Sequence, residues 1–403
     1  MATKPHFIYL KISVIKLIKS SFYKEQETKQ ALADFIIKTD KFSMGDQCKK
    51  YEQSFAKKQG CKHAVFVSSG SMANLVLLQA LLNKGLIKAG DKVGVSALTW
   101  ATNIMPVIQL GLVPVVIDCE ISNLNVSSAE LKKVLEKHSL KALFITHVLG
   151  FSADISSIAE LCKEKGILLL EDTCESLGSK VGDKLLGNFG IGSTFSSYVG
   201  HHFSTIEGGM ICVDDDELHE ALVMARAHGW NRNLPVERQE EMRKNNNVEA
   251  FFDKYTFYDL AYNARPTEVQ GFIGNFVIPY WDEIVGRREE NFKKFHSATL
   301  KNPDITPLDL EHMSLVSNFA MPLIFKSKEL FNTYRDKFEK NDVEIRPIIA
   351  GDMTQQPFFR KYVSAFDLCE NARFVHENGF YFGNNPDLTD EEVEKLCMLI
   401  GQE

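Results

Sequence analysis

Between residues 60 and 215 the chain alternates short apolar runs with stretches of helical period, and that alternation leaves few folds open to it. Ala64-Val-Phe-Val67, Lys92-Val-Gly-Val95, Val113-Pro-Val-Val-Ile117, Ala142-Leu-Phe-Ile-Thr146, Ile167-Leu-Leu-Leu170 and Met210-Ile-Cys-Val213 read as strands buried on both faces. A strand with one wet face would instead alternate apolar and polar side chains. Residues 73–82 and 127–137, which lie between these runs, repeat apolar side chains at helical spacing. The pattern predicts an α/β fold in which a mostly parallel sheet is covered by helices.

Size and charge narrow the class. With 403 residues, 44% of them apolar, the chain can bury a large core, and two domains are expected: a large one over 1–284 with an N-terminal arm, and a smaller α+β one over 285–403. The second part mixes helices with short strands such as Ala320-Met-Pro-Leu-Ile324. Residues 233–256 are highly charged, contain Asn245-Asn-Asn247 and lack an apolar stripe, so they read as a long exposed excursion before a helix that starts at Thr267. A formal charge of -7 offers no field for a polyanion, which argues against nucleic acid and for small metabolites. The eight cysteines are dispersed without metal-ligand spacing, so reduced thiols and no metal are expected. The apolar stretch over 7–18 is broken by Lys11 and Lys16 and lacks a small-residue cleavage site, and no run reaches the roughly 18–20 apolar residues that span a bilayer. A cytoplasmic protein with no membrane insertion follows.

Three motifs fall where such a sheet binds ligands. Ser68-Ser-Gly-Ser71 joins a strand to a helix, so free N–H groups at the helix start make a phosphate cradle, with Gly70 permitting close approach and Ser71 beside it. Read alone, it is weak, and a capped helix start with Ser as N-cap is the simpler reading. Glu171-Asp-Thr-Cys-Glu175 follows a buried strand, and Asp172 at that strand end can hold a protonated ring nitrogen or, in the plainer reading, cap a helix. The third motif is Ser196-Ser-Tyr-Val-Gly-His-His-Phe-Ser-Thr-Ile-Glu-Gly-Gly209.

With these motifs in this order, the sequence resembles the DegT/StrS-type sugar aminotransferases, a branch of the fold-type I pyridoxal phosphate enzymes, from about residue 44 to 385. Phe42-Ser-Met-Gly45, Ser69-Gly-Ser-Met-Ala-Asn74, Ala97-Leu-Thr-Trp-Ala-Thr-Asn103 and Ala261-Tyr-Asn-Ala-Arg-Pro-Thr-Glu268 carry the likeness, with Arg346-Pro347, Thr354-Gln-Gln-Pro357 and Gly379-Phe-Tyr-Phe-Gly-Asn384 towards the substrate entrance. The resemblance implies an aspartate aminotransferase-like large domain with a seven-stranded sheet and a homodimer whose sites lie at the subunit interface. It assigns the cofactor phosphate to Gly70 and Ser71, ring stacking to Trp100, the ring nitrogen to Asp172, and a further part of the cofactor's seat to Ser196. Asn263 would touch the phosphate across the dimer and Arg265 an anionic substrate group. Glu175 stands where many members carry Gln beside the cofactor's phenolic oxygen, and an ionised carboxylate cannot donate there.

The larger departure is His201, six residues before Glu207-Gly-Gly209, where the family carries the lysine that tethers the cofactor. An imidazole cannot form that link but remains a base near neutral pH. The same replacement marks sugar 3-dehydratases within the family, and the likeness runs to the kind that acts on GDP-4-keto-6-deoxy-D-mannose. The CDP-linked kind carries an iron-sulfur cluster, and this chain lacks closely grouped cysteines. The resemblance thus implies pyridoxal or pyridoxamine phosphate bound without a covalent tether, L-glutamate as amino donor, a nucleotide-linked 4-keto sugar as substrate, and His201 as base. His202 reads as a packing residue, and His147 as structural or site-lining. An aminotransferase with a displaced lysine, Lys180 or Lys184, is the rival enzyme reading; a non-catalytic nucleotide-sugar binder is the other.

Overall fold

The structure is a computed structural model that describes residues 14–349 and 351–401. Residues 7–13 of the N-terminal apolar stretch lie outside the described residues. No helix among those described is long and apolar enough to cross a membrane.

In chain order the first nine strands are β1 (His63–Val67), β2 (Lys92–Ser96), β3 (Val113–Ile117), β4 (Ala142–Thr146), β5 (Leu168–Asp172), the two-residue β6 (Lys180–Val181) and β7 (Lys184–Leu185), β8 (Gly192–Ser196) and β9 (Gly209–Val213). Seven of them form the central sheet in the order β1-β9-β8-β5-β4-β2-β3. All its pairings are parallel except those that β9 makes with β1 and β8. This is the mostly parallel α/β sheet that the apolar runs predict, and it is the fold of the fold-type I enzymes. All six runs coincide with strands to within two residues at either end, and Val113–Ile117 and Ala142–Thr146 match fully.

Composition alone does not reveal the seventh strand, β8, because Gly192-Ser-Thr-Phe-Ser196 is mostly polar. It is nevertheless central and buried over its first four residues. The polarity of Thr194 is absorbed locally, its Oγ1 donating to Asn74 Oδ1 at 2.6 Å and its carbonyl accepting from both Thr173 N and Thr173 Oγ1 at 2.8 Å, while the Ser193 hydroxyl is buried without a partner. Buried polar groups bonded this way cost little.

The helix expected over 73–82 spans Gly70–Asn83, capped by the Ser69 hydroxyl, which accepts from Met72 N at 3.2 Å. That earlier start puts Gly70 and Ser71 in the first turn, where backbone N–H groups have no helical partner. Thr267 caps Glu268–Val277 through a reciprocal bond with Gln270, as its position predicts. The excursion over 233–256 is exposed but not irregular: it contains the helix Val236–Asn245, which buries no residue, and a short 3-10 turn at Phe252–Tyr255. Surface pairs such as Arg238–Glu241 and Lys244–Glu240 run along that helix in place of an apolar stripe.

The C-terminal part holds β10 (Met313–Leu315), β11 (Ala320–Ile324), β12 (Ile345–Pro347) and β13 (Gly379–Gly383). β11, β13 and β12 form an antiparallel sheet, while β10 pairs with the β6–β7 hairpin. The expected division after residue 284 falls within the 20-residue helix Trp281–Leu300.

Candidate active site

A cavity of about 450 Å³ opens where the parallel strands end, walled also by β12, β13 and the N-terminal segment through Leu17 and Ile18. Gly70, Ser71, Trp100, Asp172, Glu175, Ser196 and His201 all line it. Asn263 and Arg265 do not.

One end is built for an anion. The first turn of Gly70–Asn83 faces the cavity, with Ser69, Gly70 and Ser71 on its wall and the Ser71 hydroxyl donating to Thr102 Oγ1 at 3.1 Å. A side chain at Gly70 would meet Ser196 Cβ at 2.8 Å and Cys174 Sγ at 3.1 Å, so only glycine lets the helix start lie this close to β8. A Cβ at Gly209 would stand 2.2 Å from the Ser69 carbonyl oxygen, which explains in packing terms the glycine after Glu207-Gly208. Trp100, 53% exposed, stands at the head of the helix Ala101–Gln109 with its ring on the cavity.

The opposite wall carries two buried carboxyls three residues apart with different surroundings. Asp172 accepts from Asn74 Nδ2 at 2.9 Å and Cys174 N at 3.1 Å, which fixes it at the end of β5. Glu175 accepts from Leu149 N at 2.6 Å, a residue whose φ of 58° places it in the left-handed region. Burial, and to a lesser degree the charge of Asp172, push the Glu175 carboxyl up to about 8. Near neutral pH it is therefore protonated and can donate a hydrogen bond, which an ionised carboxylate at that place could not.

His201 sits on the loop between β8 and β9, half-buried, its ring 5.1 Å from the Phe319 ring and edge-on to Tyr198 at 6.3 Å. Burial first, then the positive charge of Arg288, lower its pKa to about 4, so the ring is neutral across the physiological range and free to accept a proton. Its Nδ1 is buried without a hydrogen-bond partner. The neighbouring His202 is spent on structure, its Nε2 lying 2.8 Å from the Ser317 carbonyl oxygen. His147 is likewise structural: it pairs with Glu171 at 2.9 Å in full burial and does not line the cavity.

Asn263 is exposed and receives a bond from Arg265 Nε at 2.9 Å, and the Arg265 guanidinium lies 5.6 Å from the Trp230 ring. The cavity also gathers residues that sequence reasoning did not select. Tyr198, Phe319 and Tyr381 supply aromatic wall, and Asn74 links Asp172 to Thr194. Asn74 is the one of these with a local signal, a buried amide on an otherwise apolar helix face.

The fold and the cavity define a class. A helix N-terminus cleared by Gly70, a half-exposed indole and a fixed carboxylate at a strand end fit a phosphorylated pyridine ring, as in the fold-type I pyridoxal phosphate enzymes. The chain belongs to the DegT/DnrJ/EryC1/StrS aminotransferase family, whose model matches residues 23–400. It is 33% identical over 368 residues to the GDP-4-keto-6-deoxy-D-mannose 3-dehydratase of Escherichia coli, covering 90% of this chain and 93% of that one. A solved structure of the E. coli enzyme with bound hydrated pyridoxal phosphate matches with a TM-score of 0.87 and 31% identity over 96% of this chain and 99% of the other. Another structure, of a GDP-4-keto-6-deoxymannose-3-dehydratase with a trapped pyridoxal phosphate–glutamate geminal diamine, matches at 0.86 with 30% identity over 96% and 100%.

Proposed function

We propose that this chain is a cytoplasmic nucleotide-sugar 3-dehydratase that uses pyridoxal and pyridoxamine phosphate to remove the C3 hydroxyl of a 4-keto-6-deoxyhexose, GDP-4-keto-6-deoxy-D-mannose being the substrate its relatives suggest. One observation carries the reading: at the place of the family's tethering lysine the cavity presents the neutral ring of His201, and among the described residues no lysine lines that cavity. Lys180 and Lys184 lie on the β6–β7 hairpin outside it, Lys184 resting 4.7 Å over the Phe189 ring. A tethered aminotransferase would need a lysine on this wall, and among the described residues none lines it.

When bound, the pyridoxamine form supplies an amine for the sugar's C4 ketone and a conjugated ring that accepts electrons. The chain's own residues do the rest. The first turn at Gly70 and Ser71, with Ser196, holds the phosphate, and the Trp100 indole covers the ring. Asp172 keeps a proton on the ring nitrogen. Protonated Glu175 donates to the phenolic oxygen. His201 takes a proton at the cofactor's C4′ carbon, and because an imidazole forms no stable link to an aldehyde, it stays free to move that proton. L-Glutamate is the proposed amino donor, in keeping with the glutamate adduct in a solved relative. The net change converts the sugar and glutamate into the 3-deoxy sugar, 2-oxoglutarate and ammonia.

Asn263 and Arg265, which this chain turns outward, are proposed to complete the cavity of a second copy in a homodimer, Asn263 at the phosphate and Arg265 at an anionic group of the substrate. The test incubates the protein with pyridoxal phosphate, L-glutamate and GDP-4-keto-6-deoxy-D-mannose. Ammonia and 2-oxoglutarate should appear in equal amounts with a sugar one oxygen lighter. An amino sugar without ammonia would mark an aminotransferase, and no turnover of any nucleotide-linked 4-ketohexose would mark a binding protein. Borohydride treatment followed by peptide mapping should find no pyridoxyl-lysine.

A further inference from the structure

The helix Trp281–Leu300 carries Arg288 into the interior, where it is 2% exposed. Among the described residues it has no carboxylate partner. Its Nη1 donates to the carbonyls of Asn318 at 3.3 Å, Phe319 at 3.1 Å and Asn384, and its Nη2 to the carbonyl of His201 at 3.4 Å. Its Nε is buried and unpaired. A guanidinium in a dry site is costly unless paired, and carbonyl dipoles compensate it only in part. If this position only filled space, an uncharged side chain of the same length would do so at lower cost.

The surroundings are arranged around that cation. Asn384 donates to the Arg288 carbonyl at 2.9 Å and to Asn318 Oδ1 at 2.6 Å, and Asn291 donates to Asn384 Oδ1 at 3.1 Å, all three amides being fully buried. The network joins the loop after β8, the lead into β11 and the end of β13. Two of its anchor points meet at the base, since Arg288 holds the backbone of His201 and the backbone of Phe319, whose ring backs the imidazole.

We propose that Arg288 is a positioning residue for His201: its guanidinium, bridging the carbonyls of His201, Phe319, Asn318 and Asn384, fixes the imidazole against its aromatic wall and sets a positive charge behind it. The proposal rests on the reading of His201 as base, while the geometry stands independently of it. The electrostatics agree in sign, since burial and then Arg288 disfavour the protonated ring. The other charged or titratable groups around the ring do little to oppose this. His202 is itself held neutral, Cys174 is held as a thiol by burial, and Glu175 is protonated up to about 8. Asp172, Tyr198, Glu207, Arg346 and Tyr381 line the same cavity, and the charge of Asp387 raises the proton affinity of Arg288.

The experiment titrates the His201 ring by nitrogen NMR in ¹⁵N-histidine apoenzyme, its signal assigned by its loss in His201→Asn, alongside steady-state kinetics of the holoenzyme. In Arg288→Met the His201 pKa should rise by about one unit or more, and kcat should fall about tenfold or more with the KM for the sugar nucleotide within about twofold. Arg288→Lys keeps the charge but has three N–H donors for four carbonyls. It should titrate like the parent and still lose kcat. A folded Arg288→Met with parental titration and kcat overturns the proposal. If that variant does not fold, parental kcat in Arg288→Lys overturns it equally. Should the parent turn over no 4-keto sugar, the proposed function fails, and the ring titration still decides the role of Arg288.

Discussion

The cavity wall and the surface segment from His228 to Arg265 hold the two parts of the expected residue set on different ground. In the wall, Asp172 and Ser196 are the last residues of paired strands, Glu175 is clamped by Leu149, and His201 sits on a loop held by Arg288. Asp172, Glu175 and Ser196 are held through their side-chain oxygens, and His201 through its backbone carbonyl. The segment is anchored mainly at its ends, where Tyr262 N donates to the Ala225 carbonyl and Ala264 N to the Arg226 carbonyl, while Asp253 ties Asn231 to Tyr258 further out. Its helix Val236–Asn245 buries nothing, and Phe251, Tyr255, Phe257 and Leu260 are well exposed. What stiffens it is stacking: the Arg232 guanidinium lies 4.1 Å from the Trp230 ring and 4.8 Å from that of Tyr255. Strand ends can therefore present fixed side chains to the cavity, whereas the segment carries Asn263 and Arg265 away from it.

The sharpest way to break that contrast is to disable the wall alone. His201→Asn should lower dehydration by about 10³-fold, the order expected for loss of a general base, while cofactor binding by absorbance titration stays near parental. Loss of cofactor affinity instead would make His201 a structural part of the pocket. The second blow falls on Glu175. Its carboxyl, ordinarily near 4.5, is raised to about 8 by burial, so the stability attached to it is complete below about pH 4.5 and is lost as pH rises towards 8. Glu175→Gln removes that loss and still accepts the Leu149 N–H. Urea denaturation should show the variant gaining on the parent between pH 5 and pH 8.5 by on the order of a few kcal/mol, with no gain below pH 4.5. A flat difference across that range would mean the parental carboxyl ionises normally.

Legibility in the sequence follows the same divide. Strands buried on both faces announce themselves by apolar runs, and the motifs at their ends are contiguous, so Ser69-Gly70-Ser71, Asp172 and His201 can be placed from local order. β8 escapes because it is mostly polar, and the bond by which Asn74 accepts from the Thr194 hydroxyl is not something composition shows. Phe319, Tyr381 and Arg288 join the site from more than 80 residues beyond His201, and no local pattern marks a core aromatic as the back of an imidazole. The role of Glu175 was legible only as a problem, a carboxylate where a donor is needed. Burial supplies the answer, and burial is a property of the folded chain.

A smaller effect tests the segment. If Arg265 serves the cavity of a second copy, Arg265→Ala should raise KM for the sugar nucleotide about 10- to 100-fold, the cost of one charge-assisted contact. Mixing it after subunit exchange with His201→Asn should restore about a quarter of the parental sites, because half the dimers are hybrids with one intact site each. No restoration would place Arg265 and His201 in the same chain's site and remove the contrast drawn above.

The smallest expected effect asks whether the helix of the segment matters beyond its surface. Arg238 joins Glu220 at 2.8 Å and Glu241 at 2.7 Å with 37% of its side chain exposed, so both pairs are open to solvent and salt. Arg238→Ala should change stability by no more than about 0.5 kcal/mol and leave kcat and KM within error. A larger loss of stability that grows with protein concentration would instead place Val236–Asn245 against a second copy, because only a contact between chains makes the effect of one surface charge depend on how many chains are present.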